Sequence, residues 1–81
     1  MQEPTLDDVA EIFEEVVDLS EAQVREDAVL GEDIPVDSRE MLRVLSRIES
    51  RYHMRFSPQD LLRVKTLGDV LETVRAESGS T

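Results

Sequence analysis

The sequence predicts an all-α fold: a small four-helix bundle with three longer helices, one short helix and a long loop between the first two. Four segments carry apolar residues at helical spacing, and each begins at a side chain that can accept hydrogen bonds from first-turn amides. No segment shows the sustained alternation that is typical of a strand. The 81 residues suffice for one domain. We expect residues 1–81 to form this single domain, with a core over about 5–76 and a disordered tail at 77–81.

The first helix is predicted over residues 5–19. Thr5 and Asp8 have the spacing of a capping box, in which each residue's side chain accepts the other's backbone amide. The other faces of this helix are nearly all carboxylate. Its apolar positions are Leu6, Val9, Ile12, Phe13, Val16 and Val17.

Residues 20–36 follow without clear periodicity. A connection of this length is uncommon in a compact domain unless it is ordered and functional. We expect Val24, Leu30 and Ile34 to anchor this loop in the core.

The second helix is predicted over residues 37–52, with Asp37 as its cap and Glu40 completing an Asp version of the capping box. Ser38 then occupies the first turn, with a hydroxyl that is free of capping duty and lies at the positive end of the helix. The alternative is that Ser38 is one more polar residue at a helix start, or is itself the cap. The predicted buried stripe is Met41, Val44, Leu45, Ile48 and Tyr52.

Two further helices follow. A short one begins at Pro58, where the missing N–H costs nothing, and is capped by Ser57 with Asp60 in its first turn. The last begins after Thr66, which is its cap, with Asp69 three residues on. Gly68 weakens this helix slightly. Its apolar stripe is Leu67, Val70, Leu71 and Val74.

The composition excludes several classes of function. With 19 acidic and 9 basic residues, a net charge of −10, the surface should repel nucleic acids. The chain contains no cysteine, which excludes disulfides and thiolate catalysis. No apolar run approaches the roughly 20 residues that span a bilayer, and the first residues are acidic where a signal peptide is basic. We therefore expect a cytoplasmic protein without membrane insertion.

The charges are unevenly distributed. Residues 1–37 carry 13 acids and one base, whereas residues 38–65 carry three acids and seven bases. Four of these bases form a row at every fourth position of the second helix: Arg39, Arg43, Arg47 and Arg51. Such a row turns by about 40° per step around a helix. Either Glu40, Glu49 and the acids of the first helix or the loop neutralise this arginine row, or the row binds partners that present acidic or mixed patches.

The sequence shows no recognisable arrangement of catalytic residues. The single histidine, His53, follows the second helix and is expected to face solvent. The acidic pairs do not have the spacing of an EF-hand loop, and the glycines are isolated. We expect neither catalysis nor a metal site.

From about residue 6 to residue 74 the sequence resembles the acyl carrier proteins. The stretches that carry the resemblance are "LGEDI" at 30–34, "VDS" at 36–38, "IES-RY" at 48–52 and "MRFSPQDLLRVKTLGDV" at 54–70. The resemblance implies that Ser38, preceded by the motif residue Asp37, bears a covalent 4′-phosphopantetheine arm derived from coenzyme A. A phosphopantetheinyl transferase, which uses magnesium in that family, would install the arm.

The resemblance also implies a carrier rather than a catalyst. Acyl chains would be carried as thioesters between acyl-transferring and condensing enzymes by a monomeric protein. The acyl chain would shelter in the bundle interior, lined by candidates Phe13, Leu45, Ile48, Leu61 and Val70. Three features depart from the family: Pro35 replaces the usual glycine, Arg39 replaces the apolar residue after the serine, and the second helix, usually acidic, bears the arginine row.

Several functions are consistent with these features. The first is an acyl carrier protein of fatty acid biosynthesis or of a specialised lipid or polyketide pathway. The same motif would serve an aminoacyl or peptidyl carrier. A third candidate, from a different functional class, is an unmodified, carrier-like protein-interaction module.

Overall fold

A computed structural model of the protein describes residues 3–78, and this part of the chain is all-helical, as the sequence predicts. It contains no strand in that range, only two isolated bridges, Val29 with Thr66 and Leu30 with Ile34. A short 3₁₀ helix, Glu21–Gln23, lies within the long loop. The four α-helices are α1 (Leu6–Glu14), α2 (Ser38–Tyr52), α3 (Pro58–Arg63) and α4 (Leu67–Ser78).

The core is formed by the three longer helices, since α1 packs against α2 and α4, and α2 also packs against α4. The short α3 contributes no buried residue. Met54, between α2 and α3, is also buried, which the sequence analysis does not predict. The buried residues of the helices are Val9, Ala10, Ile12 and Phe13 of α1, Val44, Leu45 and Ile48 of α2, and Leu67, Val70, Leu71 and Val74 of α4. Met41 and Tyr52, predicted in the buried stripe, are only partly buried.

All four predicted helix caps are confirmed. In each case the cap side chain accepts the amide of the residue three positions on, and the acidic side chain at that position accepts the amide of the cap. A good cap contributes about 1 kcal/mol to stability. The bonds that the cap side chains accept are Asp8 N–H to Thr5 (3.2 Å), Glu40 N–H to Asp37 (2.8 Å), Asp60 N–H to Ser57 (3.1 Å) and Asp69 N–H to Thr66 (3.1 Å).

The first helix is shorter than the sequence predicts. It ends at Glu14 rather than at residue 19. The carbonyl of Phe13 accepts the amides of both Val16 (3.0 Å) and Val17 (2.9 Å), and the bond from Val16, three residues on, tightens the chain at the helix end. The two valines are still partly buried against the core, so their apolar character serves packing without extending the helix.

Burial and helical structure continue just beyond the predicted core of about 5–76. Pro4 is buried, and its carbonyl accepts the side-chain Nε–H of Arg75 at 3.2 Å. At the other end α4 continues to Ser78 and includes two residues of the predicted tail. Positions 79–81 of that tail lie outside the described residues.

The long loop is ordered and anchored at the predicted residues, with one addition. Ile34 is fully buried, and Val24 and Leu30 are partly buried against the core. Ala28 is also fully buried. The sequence does not predict this burial, because alanine is small and the residues around it show no periodicity. The loop is therefore a packed part of the bundle.

The loop is joined to the start of α4 by backbone hydrogen bonds. The amide of Leu67 donates to the carbonyl of Ala28 (3.0 Å), and the amide of Gly68 donates to the carbonyl of Glu26 (2.9 Å). These first-turn amides have no partner within their own helix, so the loop supplies one. A Cβ at Gly68 would lie 2.7 Å from the Glu26 oxygen. Glycine at this position thus permits the close approach of the loop, which outweighs the small cost in helix propensity expected from the sequence.

We expect Gly68→Ala to lower the free energy of unfolding by about 1–3 kcal/mol, because the added methyl group meets backbone that cannot move without breaking a hydrogen bond. Helix propensity alone predicts a gain of about 1 kcal/mol. Urea unfolding followed by circular dichroism shows whether the free energy of unfolding falls or rises. Ser50→Ala, on the exposed side of α2, is the control and should be neutral or slightly stabilising.

The carboxylate of Asp69 accepts two backbone amides, from Lys65 and Thr66, each at 3.0 Å. Burial alone raises the pKa of Asp69, but these hydrogen bonds and that of the Thr66 hydroxyl outweigh burial and hold the pKa below its ordinary value. A carboxylate whose pKa is lower in the folded state stabilises the fold above the unfolded pKa. This contribution is lost as the pH falls through the folded pKa.

Asp69→Asn should therefore lower the free energy of unfolding at pH 7 by about 1 kcal/mol, since a charged acceptor is replaced by a neutral one. The difference from wild type should shrink below the ordinary carboxyl pKa of 3.8. Urea unfolding between pH 3 and 7 measures it. Glu72→Gln, which alters an exposed side chain of the same helix, is the control and should leave the free energy of unfolding at pH 7 nearly unchanged.

Candidate functional site

The Ser38 hydroxyl lies at the exposed start of α2 and is not part of the helix cap. Asp37 caps the helix: its Oδ1 accepts the Glu40 amide at 2.8 Å, while the Glu40 Oε1 accepts the Asp37 amide at 3.0 Å. Ser38 is exposed, and its hydroxyl makes no hydrogen bond within residues 3–78. The interpretation of Ser38 as the cap is therefore wrong. Its oxygen is available to an outside reagent at the positive end of a 15-residue helix.

The loop before α2 fixes the position of Ser38. Gly31 has a positive φ of 91°, which glycine adopts without strain, and its amide donates to the Ile34 carbonyl at 2.8 Å. Ile34 is fully buried, and Leu30 donates its amide to the Lys65 carbonyl at 2.9 Å. The turn is thus held both by the core and by the segment before α4, and α2 begins four residues later.

A cleft of ≈ 240 Å³ lies beside Ser38, between the start of α2, the end of the loop and α3. Its lining is mainly apolar. The residues that line it are Leu30, Val36, Asp37, Ser38, Met41, Leu45, Leu61 and Val64. The site therefore combines an accessible hydroxyl with an adjacent apolar surface.

The five residues predicted to line an acyl-chain shelter in the bundle interior lie in two different places. Leu45 and Leu61 line the cleft. Phe13, Ile48 and Val70 are instead fully buried in the core. These three residues pack where α1, α2 and α4 meet, whereas the cleft lies on the side of α2 that faces α3.

Sequence reasoning missed other residues around Ser38. Val36 and Val64 line the cleft, and Leu42 lies exposed on α2, with 65% of its surface accessible. A signal for Leu42 exists in the sequence, because it is an apolar residue outside the buried stripe of its helix. No comparable periodic signal marks Val36, which belongs to the loop.

The arginine row lies on the exposed side of α2, but its members have different surroundings. Arg47 Nη1 is 2.8 Å from Glu15 Oε1, at the end of α1. Arg51 lies with Glu11, Glu14 and Glu15 around a shallow surface depression. The half of the row far from Ser38 therefore faces the acidic first helix, as the intramolecular interpretation predicts.

The half of the row near Ser38 is different. Arg39 and Arg43 are exposed and form no ion pair within residues 3–78. Glu40, which the intramolecular interpretation proposes as a partner, is held by the Asp37 amide, and Glu49 accepts the amide of Phe56 at 2.8 Å. The two expected partners on α2 itself are thus engaged by the backbone.

Other kinds of site are not found in the described part of the chain. Residues 3–78 contain no group of three or more histidine, cysteine or acidic side chains arranged to hold a metal ion. His53 is exposed, as predicted, and ends α2 in the left-handed conformation. Among the described helices, none has the length and apolar character needed to cross a membrane.

Comparison with protein families gives one match across most of the chain. Residues 7–74 match the sequence profile of the family described as "Phosphopantetheine attachment site". The matched range contains Ser38 and the whole lining of the cleft.

Several individual proteins are similar to the chain. The "Meromycolate extension acyl carrier protein" of Mycobacterium tuberculosis is 27% identical over 74 residues, which cover 91% of this chain and 64% of that protein. The "Acyl carrier protein" of Chlamydia caviae is 27% identical over 90% of this chain and 95% of its own. The "Polyketide-8 synthase acyl carrier protein 2" of Streptomyces avermitilis is 32% identical over 88% and 82%. The chain thus spans less than two thirds of the mycobacterial protein.

The capping role of Asp37 can be separated from any other role by two substitutions. Asp37→Ala should lower the free energy of unfolding by about 1 kcal/mol, because the Glu40 amide loses its acceptor. Asp37→Asn should cost only a few tenths of a kcal/mol, since asparagine is an equally good cap. Urea unfolding measures both, and equal losses for the two variants would contradict the capping role.

Proposed function

The chain belongs to the family of the phosphopantetheine attachment site, which it matches over residues 7–74, and we propose that it is an acyl carrier protein modified on Ser38. One observation carries the assignment of the serine: its hydroxyl is exposed, uninvolved in capping and adjacent to an apolar cleft. The covalent group of the family is 4′-phosphopantetheine. The residues around Ser38 are compatible with that group, since the helix start favours a phosphodiester and the cleft favours an apolar chain.

Attachment requires a phosphopantetheinyl transferase and coenzyme A. The Ser38 oxygen would form a new bond to the phosphorus that bears the pantetheine, while the bond from that phosphorus to the rest of the coenzyme breaks. The adenosine bisphosphate leaves with the electron pair, and the serine proton passes to a base of the transferase. The thiol of the attached arm would carry acyl groups as thioesters.

The role of this chain is to present the arm. Asp37 holds the helix start in place, so the phosphodiester at Ser38 lies at the positive end of α2. Met41, Leu45 and Leu61 offer apolar surface within the cleft to a chain that folds back toward the protein. We propose a carrier rather than a catalyst, as the family of the phosphopantetheine attachment site suggests.

We place this carrier in fatty acid biosynthesis or in a specialised lipid or polyketide pathway, as a cytoplasmic monomer with access to coenzyme A. Its proposed partners are the transferase and the acyl-transferring and condensing enzymes, which the arginine row would contact. Relatives named for meromycolate extension and for a polyketide synthase support the specialised branch, and a relative named only as an acyl carrier protein supports either branch. An aminoacyl or peptidyl carrier would use the same serine, and an unmodified interaction module would not use it.

We expect the protein to gain the mass of one phosphopantetheine group when it is incubated with coenzyme A, magnesium and a broad-specificity phosphopantetheinyl transferase. Ser38→Ala should gain nothing, because it lacks the accepting hydroxyl. Intact-mass spectrometry measures both. Ser46→Ala, which removes another exposed serine of α2, is the matched control and should be modified like wild type.

The contrary outcomes are distinct. No gain by wild type with several transferases would favour the interaction module over the carrier. A gain that persists in Ser38→Ala would place the arm on another residue. Once wild type has been modified, the two carrier types can be separated by letting acyl and aminoacyl donors compete to load the arm.

A further inference from the structure

Glu49, near the end of α2, holds the turn that leads into α3. Its carboxylate oxygen Oε2 accepts the amide of Phe56 at 2.8 Å, and its backbone carbonyl accepts the amides of His53 and Met54. The bond to the Phe56 amide is partly buried, and Phe56 packs against the core. Both the side chain and the backbone of Glu49 therefore fix the course of the chain between α2 and α3.

This turn is important because α3 has little hold of its own on the rest of the protein. None of its residues is buried. Before the helix, the Glu49 carboxylate holds the amide of Phe56. After the helix, the Lys65 carbonyl accepts the Leu30 amide at 2.9 Å. The position of α3 thus depends on attachments at its two ends rather than on burial of its own side chains.

One wall of the cleft beside Ser38 is formed by α3 and the residue that follows it. Leu61 of α3 and Val64 at its C-cap line the cleft, and α2 supplies Met41 and Leu45. Leu61 is 44% accessible, so packing in the core does not hold it in place. Movement of α3 away from α2 would therefore widen the cleft and expose its apolar lining to water.

We propose that Glu49 is a positioning residue: through the Phe56 amide it holds α3 beside α2 and keeps the cleft closed enough to shield an acyl chain on the Ser38 group. The inference rests on the proposed carrier function and adds a residue that does not itself line the cleft. A hydrogen bond to a charged acceptor is of the stronger kind, and a partly buried amide left without an acceptor is costly. Loss of this bond should release α3 while the core of the three longer helices stays intact.

The test compares Glu49→Ala, which removes the acceptor, with Glu49→Gln, which keeps an oxygen that can accept the Phe56 amide. A broad-specificity transferase loads each variant in one step from acetyl- or octanoyl-coenzyme A. Hydroxylamine then cleaves the thioester: its nitrogen forms a bond to the acyl carbon, the carbon–sulfur bond breaks, and the arm is released as the thiol with a proton from that nitrogen. Intact-mass spectrometry measures the rate.

In wild type we expect the octanoyl thioester to be cleaved more slowly than the acetyl thioester, because the longer chain can extend into the cleft. Glu49→Ala should speed cleavage of the octanoyl thioester at least about threefold, since local opening of α3 exposes the chain, and should leave the acetyl rate unchanged. Glu49→Gln should resemble wild type. Glu49→Asp, which keeps the charge but is one methylene shorter, should resemble Glu49→Ala.

Hydrogen exchange on the unmodified protein tests the position of α3 without any loading. The amides of Leu61 and Val64 donate to carbonyls of Ser57 and Asp60. They should exchange at least about threefold faster in Glu49→Ala, because fewer contacts then oppose local opening of α3. The Val70 amide of α4 should exchange as in wild type.

Thr5→Ala is the matched control, because it removes the cap of α1 and leaves the attachments of α3 intact. It should keep the wild-type protection of the octanoyl thioester. Equal effects of Thr5→Ala and Glu49→Ala would assign the change to general destabilisation and overturn the proposal. It would also be overturned by unchanged octanoyl cleavage or unchanged α3 exchange in Glu49→Ala, by an equal loss in Glu49→Gln, or by equal acetyl and octanoyl rates in wild type. Failure of the carrier function would appear separately, as the absence of a mass gain on wild type, and would leave the exchange test unaffected.

Discussion

The carbonyls of Glu26 and Ala28 accept the first two amides of α4, and this contact holds the long loop on the bundle. The contact is possible because Gly68 has no side chain between the two backbones. With the loop in place, Ile34 is buried and the chain enters α2 at a defined point. The position of the Ser38 hydroxyl is therefore set by hydrogen bonds and packing between segments that are distant in the sequence.

The division between core and cleft follows from the difference between α3 and the other helices. The three longer helices bury their apolar stripes against one another, whereas α3 contributes no buried residue. Apolar side chains on the side of α2 that faces α3 are consequently left lining an open cleft rather than packed in the core. A small domain with little core to spare thus separates the residues that stabilise it from those that can meet a ligand. Leu45 belongs to both groups, since it is buried and also lines the cleft.

Some charged side chains of the protein make intramolecular contacts, whereas others remain exposed. Several acids are engaged by backbone amides at helix starts, and Glu15 pairs with Arg47. Arg39 and Arg43 are left exposed and without an ion pair in the described part of the chain. This arrangement leaves two exposed guanidinium groups near Ser38, beside the carboxylates of Asp37 and Glu40. These guanidinium groups are available to pair with acidic groups of a partner, as proposed for the arginine row.

The sequence by itself determined the four helix starts, the cap at Asp37 and the place of Ser38 in the first turn, because a capping box joins residues only three positions apart. It also determined most of the buried stripes, which depend on helical periodicity alone. Only the tertiary structure decided that Phe13 is core while Leu61 lines the cleft, and that Arg47 is paired while Arg39 has no ion pair within residues 3–78. These properties depend on which elements meet in space, and the Arg47–Glu15 pair joins residues 32 positions apart. No local pattern in the sequence carries that information.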